Sequence, residues 1–207
     1  MPGDECQTKA AIEAYARILF EPSDIVEVRR LPSGRSSWHE AAHLAEVTAG
    51  LNRDNDAGQN IYVGASPRRE RGGTKAADVL LARCLFTDFD DGIAPGEALE
   101  RIRQAGLPRP TLLIFSGHGT HAYWRLTEPL TDLAEWTRLQ KLLILTVGSD
   151  PSVHDPPRIM RLPGLWNRKQ EPFIRCEIVE SAPGRRYDPN ELHTALEAAC
   201  PDGELHD

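Results

Sequence analysis

Apolar residues recur along the chain with two periods, and their alternation from end to end predicts a mixed fold, α/β or α+β. Helical spacing marks Thr8 to Phe20, Ser37 to Leu51, Pro95 to Ala105, Thr131 to Val147 and Asp188 to Cys200. Strand-like runs fall at Asp24 to Leu31, Asn60 to Ala65, Arg83 to Asp90, Thr111 to Phe115, His121 to Leu126, Arg158 to Leu162 and Phe173 to Val179. Local signals place several ends. A Ser37-x-x-Glu40 capping box opens the second helix, Gly106 stops the third, and Asp188 or Asn190 caps the last. The tail 201–207 is acidic and expected to fray.

Composition narrows the class. A chain of 207 residues holds one well-filled domain or two small lobes, since domains run to ~100–200 residues. No run approaches the ~18–20 consecutive apolar residues of a membrane span, and Met1 is followed by Pro-Gly-Asp-Glu instead of a basic and then apolar leader. A cytoplasmic protein with no membrane partner is therefore expected. The 24 basic and 31 acidic residues give a net charge of −7, which argues against a protein that coats DNA by bulk electrostatics. Cys6, Cys84, Cys176 and Cys200 contain no C-x-x-C pair, so neither a zinc ribbon nor a disulfide framework is encoded and no zinc is expected.

Three segments carry chemistry. The apolar strand Leu85-Phe-Thr-Asp88-Phe-Asp90 ends in two carboxylates at i and i+2, which alternation places on one face, roughly 6–7 Å apart. Two hard oxygen donors at that spacing suit a pair of divalent cations. The second segment is Ser116-Gly-His-Gly119-Thr-His121, a glycine turn whose backbone can pass close to phosphate oxygens. Beyond it His121, Tyr123 and Arg125 share one face of a strand, read as a polar cleft side, and Ala122, Trp124 and Leu126 the other. The third, Asp150-x-x-Val153 to Lys169, places a carboxylate before Arg158, Arg161, Arg168 and Lys169, a cluster fit to neutralise a triphosphate or a nucleic-acid backbone. Asp155 is a second acid in the same segment.

In this order the three segments resemble the archaeo-eukaryotic primase superfamily, in its phage and plasmid primase-polymerase branch, over roughly Asn60 to Lys169. The resemblance implies a two-lobed catalytic core. An N-terminal α/β lobe, residues 1–81, would pack on an RRM-like catalytic lobe, 82–187, followed by a C-terminal helix, 188–200. It implies template-directed nucleotidyl transfer with two Mg²⁺ or Mn²⁺ ions. Asp88, Asp90 and Asp150 match the metal carboxylates, with Asp155 as the competitor for the third place. His121 matches the histidine on the incoming triphosphate, Arg161 and Lys169 match basic positions near it, and Ser116 and Gly119 belong to the same turn. Asn167 stands where cellular primases often have His. Implied partners are nucleoside triphosphates, single-stranded template or primer DNA, and a helicase domain or replication partner.

Two other patterns compete. His39-Glu40-x-x-His43 spells the zincin H-E-x-x-H, which requires both histidines on one helical face and a third ligand downstream that the sequence lacks. The loop Ser66 to Lys75 holds Arg68, Arg69, Arg71 and Lys75 against Glu70 alone, as a DNA contact surface or as the binding loop of a catalytically idle module. The basic residues thus cluster in two places, and affinity for DNA by this domain alone is expected to be weak and salt-sensitive.

Overall fold

The apolar run Ile25–Leu31 (β1) turns back at Gly34, whose φ of +73° suits a residue without Cβ, and pairs with Ser36–Glu40 (β2). On its other side β1 pairs with Asn60–Gly64 (β3). Ala82–Phe89 (β4), Leu112–Phe115 (β5) and Thr120–Leu130 (β6) follow, each long enough and apolar enough to be core. Then Ile159–Arg161 (β7) returns to pair with β3, Trp166–Asn167 (β8) and Ile174–Arg175 (β9) form a small hairpin, and Glu177–Ser181 (β10) pairs with β5. The result is two four-stranded antiparallel sheets, β2-β1-β3-β7 and β10-β5-β6-β4, in a computed structural model that describes residues 2–90 and 92–200. The tail expected to fray lies outside the described residues. The strand carrying Arg161 belongs to the first sheet, so residues 1–81 complete that sheet only with a strand from far along the chain.

Among the described residues five α-helices clothe the sheets: Pro2–Leu19 (α1), Thr48–Asp56 (α2), Pro95–Gln104 (α3), Leu133–Val147 (α4) and Pro189–Ala199 (α5). The Asp132 and Asp188 carboxylates each accept two backbone N–H bonds at the starts of α4 and α5, and Gly148 ends α4 in the left-handed region at φ +63°. Buried rings bind the layers together. Tyr15 of α1 meets Tyr123 of β6 edge-on at 6.0 Å, Tyr123 lies 6.0 Å from Phe86 of β4, and Phe86 lies 5.8 Å from Trp136 of α4. Among the described residues no helix is long and apolar enough to cross a membrane.

One predicted helix is not formed. Ser37 to Leu51 divides into β2, a 3-10 helix at Ala41–Val47 and α2. The Ser37 hydroxyl, expected to cap a helix, instead accepts from Arg30 Nη1 at 2.8 Å and lies 2.8 Å from His39 Nε2. Pairing across the hairpin satisfies more of the backbone than one capping box can, and tertiary context overrides the local signal.

Candidate active site

β4 runs along the edge of its sheet and ends at Phe89, so Asp88 is its last acidic strand residue and Asp90 lies just beyond. Sixty residues later the chain leaves α4 through Gly148 and turns so that the Asp150 N–H donates to the Asp88 carbonyl at 2.9 Å. That bond carries the third carboxylate to the first. Asp88, Asp90 and Asp150 each offer an oxygen within 4.8 Å of the other two. The Asp150 carboxylate is held by the Ser152 N–H at 2.8 Å and the Ser152 hydroxyl at 2.9 Å, which sets its rotamer without neutralising it. Burial, and next the Asp150 charge, pushes the Asp88 carboxyl up to about 6. Burial, and next the Asp88 and Asp150 charges, raise Asp90 as well. Asp88 Oδ1 is buried with no hydrogen-bond partner among the described residues.

The glycine turn closes on this cluster. A Cβ at Gly119 would collide with the Phe89 carbonyl oxygen, so glycine is required because the turn lies on the end of β4. The Ser116 N–H and hydroxyl both reach the Gly119 carbonyl, at 2.8 and 3.1 Å, and Ser116 is consequently buried and committed to the turn. His121, directly across the sheet from Asp88, places Nε2 at 3.5 Å from Asp88 Oδ1. Burial, and next the Arg161 charge, pulls its imidazole down to about 3, so it is neutral and the contact is not an ion pair. Arg161 comes from the first sheet. Its Nη1 donates to Asn60 Oδ1 at 2.7 Å and its guanidinium carbon lies 4.9 Å from the centre of the Tyr62 ring, which holds the cation rigidly at the cleft. Lys169 is exposed on the β8–β9 loop.

Two sheets have thus been brought together at three carboxylates and a guanidinium. The RepB DNA-primase N-terminal domain family matches residues 25–190. The chain belongs to that family. It is accordingly a replication primase domain, a nucleotidyltransferase. Solved structures agree on the fold. The archaeo-eukaryotic primase domain of the cyanophage S-2L primase-polymerase is 24% identical with a TM-score of 0.70, over 87% of this chain and 93% of that one. The catalytic domain of the primase RepB', solved in complex with initiator DNA, is 19% identical with a TM-score of 0.65, over 97% of this chain and all of that one. No curated protein matches the chain.

Within this primase domain several residues stand elsewhere than their patterns suggested. Arg68 is not on the surface: it is 1% exposed and bound to the wholly buried Glu27 of β1 at 2.8 Å, with a further bond to the Pro157 carbonyl. A guanidinium there cannot meet DNA, whereas Arg69, Arg71 and Lys75 are exposed. Asn167 is 2% exposed, donates to the Ser116 carbonyl at 2.9 Å and accepts from the Lys169 N–H at 3.0 Å, so it braces the glycine turn and has little left for a nucleotide. On β6 only His121 faces the cleft as a polar group. Tyr123 is core, and the buried Arg125 pairs with Glu21 and caps the carbonyls of Arg83 and Leu126. Asp155 pairs with Arg158 and is not among the carboxylates gathered at the cluster. His39 is on β2 and His43 on the 3-10 helix beside Glu46, so the two do not share a helical face.

Sequence reasoning missed Asn60, Tyr62 and Gln140. The first two carry no signal without the fold, because what they orient arrives from a hundred residues away. Gln140 is different, being an amide inside the apolar stripe of α4 between the buried Trp136 and Leu143.

Proposed function

We propose that the domain joins nucleoside triphosphates on a single-stranded DNA template, with two divalent cations held by Asp88, Asp90 and Asp150. The observation that carries this reading is the cluster itself. Three carboxylates are forced together, one of them with a buried oxygen that has no hydrogen-bond partner among the described residues, and such an arrangement is costly without a cation. The donor set is all hard oxygen, which suits Mg²⁺ or Mn²⁺ and not zinc. Bound cations would supply the positive charge that activates a 3′-hydroxyl and offsets the charge of the triphosphate.

The chain's own groups do the remainder. Arg161, fixed by Asn60 and Tyr62, offers a pre-organised guanidinium to triphosphate oxygens, and Lys169 a mobile ammonium. His121, neutral beside Asp88, offers its single N–H as a hydrogen-bond donor to a phosphate oxygen. Ser116, Gly119 and Asn167 act by holding the turn against β4. Arg69, Arg71 and Lys75 contact template phosphates. A helicase domain or replication partner would supply opened duplex, in the service of a phage or plasmid-like replicon.

A primer-independent incorporation assay on single-stranded template tests the reading, with ribo- and deoxyribonucleotides and with Mg²⁺ and Mn²⁺ in separate arms. Template-dependent product from wild type and none from Asp88→Asn is the expected result. DNA binding without incorporation in any arm would reduce the domain to a binding module, and product from Asp88→Asn would remove the carboxylates from the chemistry.

A further inference from the structure

On the outer edge of β4 the carbonyls of Cys84, Phe86 and Asp88 point away from the sheet, where unsatisfied groups are costly and no strand follows. Each has a partner from α4 or the turn after it. Trp136 Nε1 donates to Cys84 at 3.0 Å, Gln140 Nε2 to Phe86, and the Asp150 N–H to Asp88 at 2.9 Å. Gln140 makes two further bonds: its Oε1 accepts from the Phe86 N–H at 3.2 Å, and its Nε2 also donates to the Val153 carbonyl at 3.0 Å. One wholly buried amide therefore ties the strand two residues before Asp88 to the turn three residues after Asp150.

The turn needs such an anchor. Asp150 is held close to two other carboxylates, and without a cation their repulsion favours its withdrawal. The backbone bond from Asp150 to Asp88 resists this at one end of the turn. At the other end the anchors are the buried Val153 side chain, the bond from Gln140 to its carbonyl, and a bond from the Arg158 guanidinium to the Ser152 carbonyl at the surface. We infer that Gln140 is a positioning residue that keeps the 149–153 turn in register with β4 and so presents Asp150 to the cation site. The inference rests on the reading of Asp88, Asp90 and Asp150 as metal carboxylates.

The test is Mn²⁺ binding by calorimetry without nucleotide, on folded wild type, Gln140→Met, Gln140→Asn, Trp136→Phe and Asp88→Asn. Gln140→Met removes all three bonds, and Gln140→Asn keeps an amide that is one methylene too short to span from β4 to Val153. Both should bind Mn²⁺ about tenfold more weakly, the usual cost of losing a group that orients a metal ligand. Incorporation by both should need correspondingly more Mn²⁺ while the nucleotide KM holds. Trp136→Phe deletes the neighbouring bond between the same helix and strand, farther from Asp88, and should lose melting temperature without losing Mn²⁺ affinity. Wild-type affinity in folded Gln140→Met would overturn the inference, as would the same result in Gln140→Asn should the Met variant not fold. Equal weakening by Trp136→Phe at equal loss of melting temperature would also overturn it, assigning the effect to stability alone. Wild type binding no more Mn²⁺ than Asp88→Asn would instead overturn the metal reading beneath it.

Discussion

The three carboxylates beside β4 and the basic segment 66–75 are both accumulations of like charge, and the fold treats them in opposite ways. Asp88, Asp90 and Asp150 are gathered from two distant stretches of chain onto one point, and no lysine or arginine among the described residues forms an ion pair with any of them. In the basic segment the charges are dispersed and partly neutralised. Arg68 turns inward onto Glu27, Arg69 donates to the Ala77 carbonyl, and Arg71 reaches the Trp38 carbonyl and Glu40. Concentrated charge without a counter-ion costs folding free energy, so its persistence points to a ligand. Dispersed charge carries no such message: Arg68 finds a structural use, and the exposed Arg69, Arg71 and Lys75 are left for the template.

The largest effect should come from relieving the concentrated cluster. Asp88→Asn with Asp90→Asn keeps shape and removes charge, and should lower incorporation by at least about a thousandfold, to below detection, roughly 4 kcal/mol or more of lost transition-state stabilisation. The same variant should melt at a higher temperature than wild type in chelator, because repulsion is gone. A lower melting point would mean that the cluster is not strained, and the contrast with the basic segment would fail.

Next is the buried arginine. Arg68→Ala leaves the wholly buried Glu27 with only the part-exposed Arg29 as ion-pair partner, and removing one partner of a buried pair costs up to about 3–5 kcal/mol. Urea unfolding reads this directly. The salt dependence of DNA binding by the fraction that remains folded should not change, since the side chain never meets solvent.

These two regions were unequally legible in the sequence. The D-x-D strand, the glycine turn and the carboxylate before the basic cluster could be read because each motif is local and its chemistry needs those residues in that order. Asp150's approach to Asp88 follows from a backbone bond that no side-chain pattern encodes. Arg68 was misread because an Arg and Gly loop looks solvated, and its partner Glu27 is forty-one residues earlier on a strand whose alternation gives no sign that an acid is inside. Ser37-x-x-Glu40 was misread for the related reason that a hairpin formed by the Gly34 turn outbids a capping box. Gln140 was visible in principle, as the one amide on an apolar helical stripe, though only the fold shows what it joins.

The exposed remainder of the basic segment sharpens the contrast further. Arg69→Ala, Arg71→Ala and Lys75→Ala together should change stability by less than about 0.5 kcal/mol, because all three are at the surface. If each contacts one phosphate, the slope of log affinity against log salt for single-stranded DNA should shrink by about 2, at about 0.7 per contact. Fluorescence anisotropy across a salt series measures it. An unchanged slope would place the template elsewhere, and the segment would then be structural throughout.

The smallest effect discriminates most finely, because it separates two acids five residues apart. Asp155 forms an ion pair with Arg158 in which the two side chains are 45% and 28% exposed, a pairing whose contribution to stability is about 0–1 kcal/mol. Asp155→Ala should therefore melt near wild type. Incorporation should stay within about twofold, well under 1 kcal/mol of barrier, since the Asp155 carboxylate is paired with Arg158 and stands outside the acidic cluster. Asp150→Ala should match the loss seen in Asp88→Asn. Its carboxylate is the one carried to the cluster by the bond from its own N–H to the Asp88 carbonyl, and Asp155 cannot replace it without breaking the turn that Val153 anchors. Equal loss in the two alanine variants would mean that the acids act together and that the third ligand is not set by the edge of β4.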